Sequence, residues 1–284
     1  MQRWESVTII GVGLIGASIG LALRERELAR AVVGVGRRTS TLRQARQRGA
    51  VTSTTTDLAR GVRDSQLILV CTPVESIATF VLEAAANCPV GSIITDAGST
   101  KVEIVGAVDA ALKSSSNQAA FVGSHPMAGS EKTGPLHAQA DLFEGRVAVV
   151  TPSKQTKNEA VEQVDRFWQL LGSKVVHMSP QDHDRSVAAI SHMPHLVASA
   201  LAAATPAEDL PLASTGWLDT TRIASGDPDL WRQILVENRS GVLKSLDKFE
   251  KVLAAFRHAL ERDQQEKLLQ LLEAGKQRRD SLGN

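Results

Sequence analysis

The chain has 284 residues, a formal net charge of +1, 43% apolar residues and two cysteines. That length holds one large or two medium domains with buried cores, and the balanced charge gives no electrostatic reason to expect nucleic acid or an anionic membrane as partner. Cys71 and Cys88 form no CxxC pair, no HExxH occurs and no signal-like segment opens the chain, so the expectation is a reduced, cytoplasmic protein without a disulfide framework or a structural metal.

Residues 7–10 read as an apolar strand, followed by Gly11-Val12-Gly13-Leu14-Ile15-Gly16 and an apolar helix from Ala17. This is the setting of a dinucleotide-binding turn. Gly11 allows the tight turn, Gly13 lets a pyrophosphate reach the backbone, and Gly16 lets helix and strand pack closely, with the amides around Leu14 and Ile15 facing phosphate. A second strand spans residues 31–35. At its end, where a site for NAD usually carries Asp or Glu, stand Gly36, Arg37 and Arg38. Guanidinium forks match phosphate oxygens, so the expected cofactor is NADP in preference to NAD.

Further apolar strands are expected at residues 67–71, 92–96, 121–124, 147–150 and 174–176, with helices between them. Thr72 and Pro73 turn out of the third strand and join the cofactor candidates. Continuous apolar strands alternating with helices give a mostly parallel sheet covered on both faces. Ligands of such folds sit beyond strand C-termini, which singles out the segments after Asp96 and Gly123. Residues 1–177 are thus expected to form a Rossmann-type nucleotide-binding domain.

From residue 178 the pattern is helical. Ser179-Pro180-Gln181-Asp182 reads as a capped helix start, the helix running past Ala200 with a break near Pro194. The alanine-rich stretch 196–205 is too short to span a bilayer. Asp227-Pro228 starts another helix, and apolar positions at helical spacing from Trp231 to Leu260 suggest one long helix, followed by a last one around Leu268–Leu272. The Lys276, Arg278, Arg279 cluster reads as a solvated tail. So much apolar surface in a short helical region predicts a homodimer formed through residues 178–284.

Four stretches now combine with the N-terminal turn: Asp96-Ala97-Gly98-Ser99-Thr100-Lys101, Gly123-Ser124-His125-Pro126-Met127-Ala128-Gly129, Ser191-His192-Met193-Pro194-His195 and Asp219-Thr220-Thr221-Arg222-Ile223-Ala224. In order, spacing and placement the chain closely resembles the prephenate/arogenate dehydrogenases of tyrosine biosynthesis, from Ile9 to about Phe249. The resemblance implies a Rossmann-type domain joined to an all-helical domain of the 6-phosphogluconate-dehydrogenase-like kind. It implies oxidative decarboxylation of prephenate to 4-hydroxyphenylpyruvate, or of arogenate to tyrosine, on a small-molecule substrate with NADP or NAD.

The same resemblance gives His125 as the base that takes the substrate hydroxyl proton and Ser99 as a bridge between that hydroxyl and His125. Arg222 would grip a substrate carboxylate, and His195 would touch the substrate side chain. His192, His183 and Trp231 would border the cleft, with a structural role equally open for His192 and Trp231. Lys101 would hold the loop without being catalytic. The three-residue spacing of His192 and His195 also suits metal ligands, but no acidic or cysteine partner completes a set. Some prephenate-using relatives carry a lysine where this chain has Leu218, so the expectation leans slightly to arogenate. Two rivals stand: a β-hydroxyacid or imine-reductase type dehydrogenase, which would place a catalytic lysine in the helical region, and a non-catalytic NADP-binding sensor.

Overall fold

The fold is that of a computed structural model, which describes residues 3–113, 119–130 and 132–283. Strand β1 (Trp4–Ile10) leads into helix α1 (Leu14–Glu25), then β2 (Ala29–Val35), α2 (Thr39–Gln47), β3 (Ser53–Thr55) and α3 (Leu58–Val62). The chain continues through β4 (Leu67–Val70), α4 (Val74–Asn87), β5 (Ile93–Asp96), α5 (Val102–Leu112) and β6 (Ala120–Pro126). It completes the sheet with β7 (Val147–Thr151), α6 (Asn158–Leu170) and β8 (Lys174–His177). The strand order is β3-β2-β1-β4-β5-β6-β7-β8. Every neighbouring pair is parallel except β6 with β7. The order reverses between β1 and β4, which opens the crevice where such sheets bind nucleotides.

Successive strand residues point to opposite faces, and two cores result. Val7, Ile9, Leu67, Leu69 and Val122 pack with Phe167 and Trp168 on one face. Ile10, Ile68, Val70, Ile94 and Phe121 pack with α4 and α5 on the other. This accounts for the uninterrupted apolar character of β4: both faces are covered.

Helices follow: α7 (Pro180–Val187), a π-helical turn (Ala188–His192), α8 (Met193–Ala204), α9 (Thr215–Thr221), a 3-10 turn (Arg222–Ser225) and α10 (Pro228–Glu237). Ser179 caps α7, accepting the Asp182 amide at 3.0 Å, and Asp227 caps α10 by accepting the Asp229 and Leu230 amides. The expected break near Pro194 is the π turn just before it. Proline has no N–H and crowds the carbonyl four residues back, and the wider turn absorbs the misfit. The helical run Pro180–Ala204 is 25 residues, longer than the alanine-rich stretch alone suggested and long and apolar enough by composition to cross a membrane. Its His183, Asp184 and His192 nonetheless make their hydrogen bonds within the protein.

By compactness the chain divides into Met1–Asn238 and Arg239–Asn284. Within the first unit, α10 packs on α4, and α7 on α5 and β7, so the first helices after the sheet are built onto it. The second unit consists of α11 (Arg239–Glu261) and α12 (Gln265–Asp280). The apolar stretch from Trp231 to Leu260 is therefore two helices: α10 ends at Asn238, whose backbone (φ −97°, ψ 29°) leaves the helical region. In the second unit Leu243, Val252, Leu253, Leu260, Leu269 and Leu272 are all more than half exposed.

Candidate active site

The glycine turn has the geometry its sequence demands. Gly11 has φ +92°, and a Cβ there would lie 2.7 Å from the Cys71 carbonyl oxygen, at the end of neighbouring β4. A Cβ on Gly16 would lie 2.1 Å from the Gly11 oxygen, whereas one on Gly13 would meet nothing within 4 Å. The open space is thus at Gly13, in front of the α1 N-terminus, where no side chain caps the helix. Those unpaired amides suit a pyrophosphate. Leu14 and Ile15 form the first helical positions, Thr72 flanks Gly11 from β4, and Pro73 leads into α4. Gly36 follows β2, and Arg37 and Arg38 stand exposed beside it, Arg38 at the N-cap of α2.

Beyond β5 the chain turns on Asp96. Its Oδ2 accepts the Gly98 amide at 2.9 Å, closing a turn with its own side chain. The β5–β6 ladder stops at Thr95 and Val122; past it, Asp96 Oδ1 accepts the Ser124 amide at 3.0 Å. Lys101 pairs its ammonium with Asp96, both fully buried, which supplies the partner a buried carboxylate needs. Ser124 donates its hydroxyl to the Asp96 carbonyl at 2.5 Å and accepts the Trp168 indole N–H at 3.0 Å.

His125 was expected just past a strand. It lies within β6, because antiparallel pairing with β7 (His125 opposite Val149) extends the strand to Pro126. Its Nδ1 is 2.9 Å from Nε2 of His183, and His183 Nδ1 is 2.7 Å from Oδ1 of Asp184. Asp184 also accepts the amides of Lys101 at 2.8 Å and Val102 at 2.9 Å. Asp184, from α7, therefore caps the N-terminus of α5. Ser99 is half-buried on the same loop; among the described residues its hydroxyl makes no hydrogen bond with His125.

The other candidates gather around Trp231. The His195 ring stacks on it with centroids 3.6 Å apart and planes 10° apart, and His192 meets it edge-on at 6.2 Å. Asn238 joins this group to the His125–His183–Asp184 chain, its amide nitrogen 3.2 Å from His192 Nδ1 and donating to the Asp184 carbonyl at 2.6 Å. Buried His192 Nε2 and His195 Nδ1 have no hydrogen-bond partner among the described residues. Arg222 opens the 3-10 turn that packs on α8, the helix of His195; Leu218 is exposed on α9. All these residues belong to the first compact unit.

Burial sets the protonation of the cluster. It holds His125 well below the ordinary imidazole value, and the cost of charging it beside His183, the Lys101 ammonium and His192 lowers it further. His183 is lowered by burial against the opposing pull of Asp184. His192 is pushed down to about 4, again chiefly by burial, and burial lowers His195. Neutral imidazoles are therefore the resting state at neutral pH. Glu237, which accepts the Thr100 hydroxyl at 2.5 Å, is raised by burial.

Sequence reasoning missed Asp184, Asn238, Thr100 and Glu237. The signal for Asp184 was only that an acid follows His183; nothing in the sequence says it reaches α5.

Two family models match nearly end to end. Residues 19–177 match the nucleotide-binding domain of prephenate dehydrogenase, and residues 179–274 match its dimerization domain. The chain belongs to the prephenate dehydrogenase family. It is an oxidoreductase. The prephenate dehydrogenase of Bacillus subtilis (strain 168) is 34% identical over 288 residues, covering 99% of this chain and 77% of that protein. The Aquifex aeolicus prephenate dehydrogenase, solved with hydroxyphenyl propionate and NAD+, superposes with a TM-score of 0.89 at 30% identity, covering 98% of each chain. Synechocystis arogenate dehydrogenase gives 0.81 at 30% identity, covering 98% of this chain and 99% of that one. Prephenate and arogenate dehydrogenases thus both stand among its structural relatives.

Proposed function

We propose that the chain catalyses NAD(P)-dependent oxidative decarboxylation of prephenate or arogenate, with His125 as the base. The observation that carries this is an imidazole near the end of β6 whose Nδ1 is already engaged by His183, in surroundings that hold its pKa low. The turn at Gly11, Gly13 and Gly16 would hold the dinucleotide, with Leu14 and Ile15 supplying amides and Thr72 and Pro73 lining the β4 side. Bound there, the nicotinamide supplies the two-electron acceptor. Its turn and the His125 strand leave the same edge of the parallel sheet.

His125 takes the hydroxyl proton as the carbonyl forms and the carbon-bound hydrogen departs with its electron pair. The ring carboxylate then leaves as CO2, its bonding electrons enter the ring, and the phenolate recovers the proton from His125. Ser99 helps hold the hydroxyl. Arg222 binds a carboxylate bidentately, and His195, His192 and Trp231 border the substrate, with His183 behind the base. The structure supports this grouping by setting His192 and His195 against one indole ring, that of Trp231.

The finer reading is arogenate with NADP. Exposed Arg37 and Arg38 after β2 offer guanidinium to a 2′-phosphate, and Leu218 removes a cation near the substrate arginine. Initial rates at the nicotinamide absorbance, crossing prephenate and arogenate with NAD and NADP, test it. The highest kcat/KM is expected for arogenate with NADP; better use of NAD or of prephenate overturns that preference, and no turnover with any pair overturns the enzyme reading.

Residues 1–177 then serve the nucleotide and residues 178–284 the substrate and the dimer, in the cytoplasm. The exposed leucines of α11 and α12 form an apolar surface that suits a second copy. Sedimentation velocity on a cleared lysate fraction is expected to find a soluble species of twice the chain mass; a single-chain mass ends the dimer proposal.

A further inference from the structure

A base needs more than a histidine in place. It needs the ring nitrogen that faces the substrate to be bare. In a neutral imidazole one nitrogen carries the proton and the other a lone pair, so something must decide between them, and the hydrogen bonds behind His125 do so. Asp184 is buried and accepts the backbone amides of Lys101 on Oδ1 and of Val102 on Oδ2. Backbone amides can only donate, so both carboxylate oxygens are committed as acceptors at the first turn of α5. The 2.7 Å contact between Asp184 Oδ1 and His183 Nδ1 is then donated by the imidazole. His183 protonated at Nδ1 presents a lone pair at Nε2. That lone pair faces His125 Nδ1 at 2.9 Å, which donates to it. His125 Nε2 is thereby the bare nitrogen.

We infer that Asp184 sets the working tautomer of His125 through His183, as a positioning residue that touches neither substrate nor cofactor. The inference rests on the reading of His125 as the base. Other elements support the geometry without competing for it. Lys101, whose backbone amide helps hold Asp184, spends its ammonium on Asp96. Asn238 donates to the Asp184 carbonyl and sits against His192, and Glu237 is occupied by Thr100. The same carboxylate thus ties the Ser99 loop to α7 and aims the base, so loop and base are assembled by one group.

The test reads the tautomer directly. The protein has seven histidines, so selective ring-15N labelling gives a tractable spectrum, and His125→Asn identifies the His125 signals. At pH 7.5 the wild type is expected to show His125 protonated at Nδ1 and bare at Nε2, the reverse of the form that a free histidine side chain favours in water. Two variants separate the relay from the α5 cap. Asp184→Ala removes both; His183→Phe removes the relay, keeps a ring in the buried space and leaves Asp184 on the α5 amides. Both are expected to move His125 toward the Nε2-protonated form and to lower kcat about 100-fold, a magnitude in the range a wrong tautomer costs a base, with cofactor Kd unchanged. His125 protonated at Nε2 in the wild type, or the wild-type tautomer and kcat in His183→Phe, overturns the inference. An intact kcat in His125→Asn, with the tautomers as expected, would instead overturn the reading of His125 as base.

Discussion

His125→Asn is expected to lower kcat by about 10²–10⁴-fold, the usual contribution of a positioned general base, while the cofactor Kd stays at its wild-type value. Asparagine keeps a polar group on β6 but cannot accept a proton. The strand should persist, because the pairing opposite Val149 is made by backbone. Stopped-flow kinetics with cofactor titration separates the two quantities; near-normal kcat would refute the role. The wild-type pH profile carries a linked expectation. The base works when neutral, and burial with neighbouring positive charge lowers its pKa. Activity should therefore hold as pH falls through the ordinary imidazole range near 6.5 and decline only below it. An acid limb at or above that range would mean that the cationic form is not disfavoured as the geometry requires.

The glycine turn gives the second large effect, and it differs sharply between neighbours. Gly16→Ala forces a methyl to within 2.1 Å of the Gly11 carbonyl oxygen and 2.9 Å of Ile9. Backbone has to move, at a cost of about 1–3 kcal/mol or more, and the turn that presents the α1 amides moves with it. Loss of measurable cofactor binding and a clear drop in unfolding midpoint are expected. Gly13→Ala meets no protein atom within 4 Å, so its midpoint should be unchanged while its cofactor affinity falls, the methyl standing where the pyrophosphate would approach. Calorimetry of both variants with a cofactor titration decides it. Equal midpoints for the two variants would contradict the packing argument, and equal affinity of Gly13→Ala and wild type would contradict the pyrophosphate placement.

The turn was legible because its demands are local: two glycines between a strand and a helix, and a third in the helix's first turn, leave few alternatives. The helix starts at Ser179 and Asp227 were legible for the same reason, since cap, proline and first turn lie within four residues. The direction of β7 was not. A strand buried on both faces is apolar throughout, and apolarity carries no arrow. Antiparallel β7 is nonetheless what turns the segment after Gly123 into strand and moves His125 from a loop into a ladder. The short strand β3, Ser53-Thr54-Thr55, is too polar and too brief to stand out. The division between α10 and α11 was hidden because Asn238 is neither proline nor glycine; its reason for being there is tertiary, a side chain shared between Asp184 and His192. The pairing of Asp184 with α5 joins residues more than eighty positions apart, and no periodicity announces it.

The last four residues of β6, Gly123–Pro126, overhang the end of β5 and are fastened by β7 on one side and by the Asp96 carboxylate at Ser124. A base carried on such a strand loses its freedom when the protein folds, long before any substrate arrives. The entropy of ordering it is charged to the folding equilibrium and not to the encounter. Substrate contacts are then free to act on the reacting bonds. The His125 imidazole should accordingly be as still in the empty protein as in the occupied one.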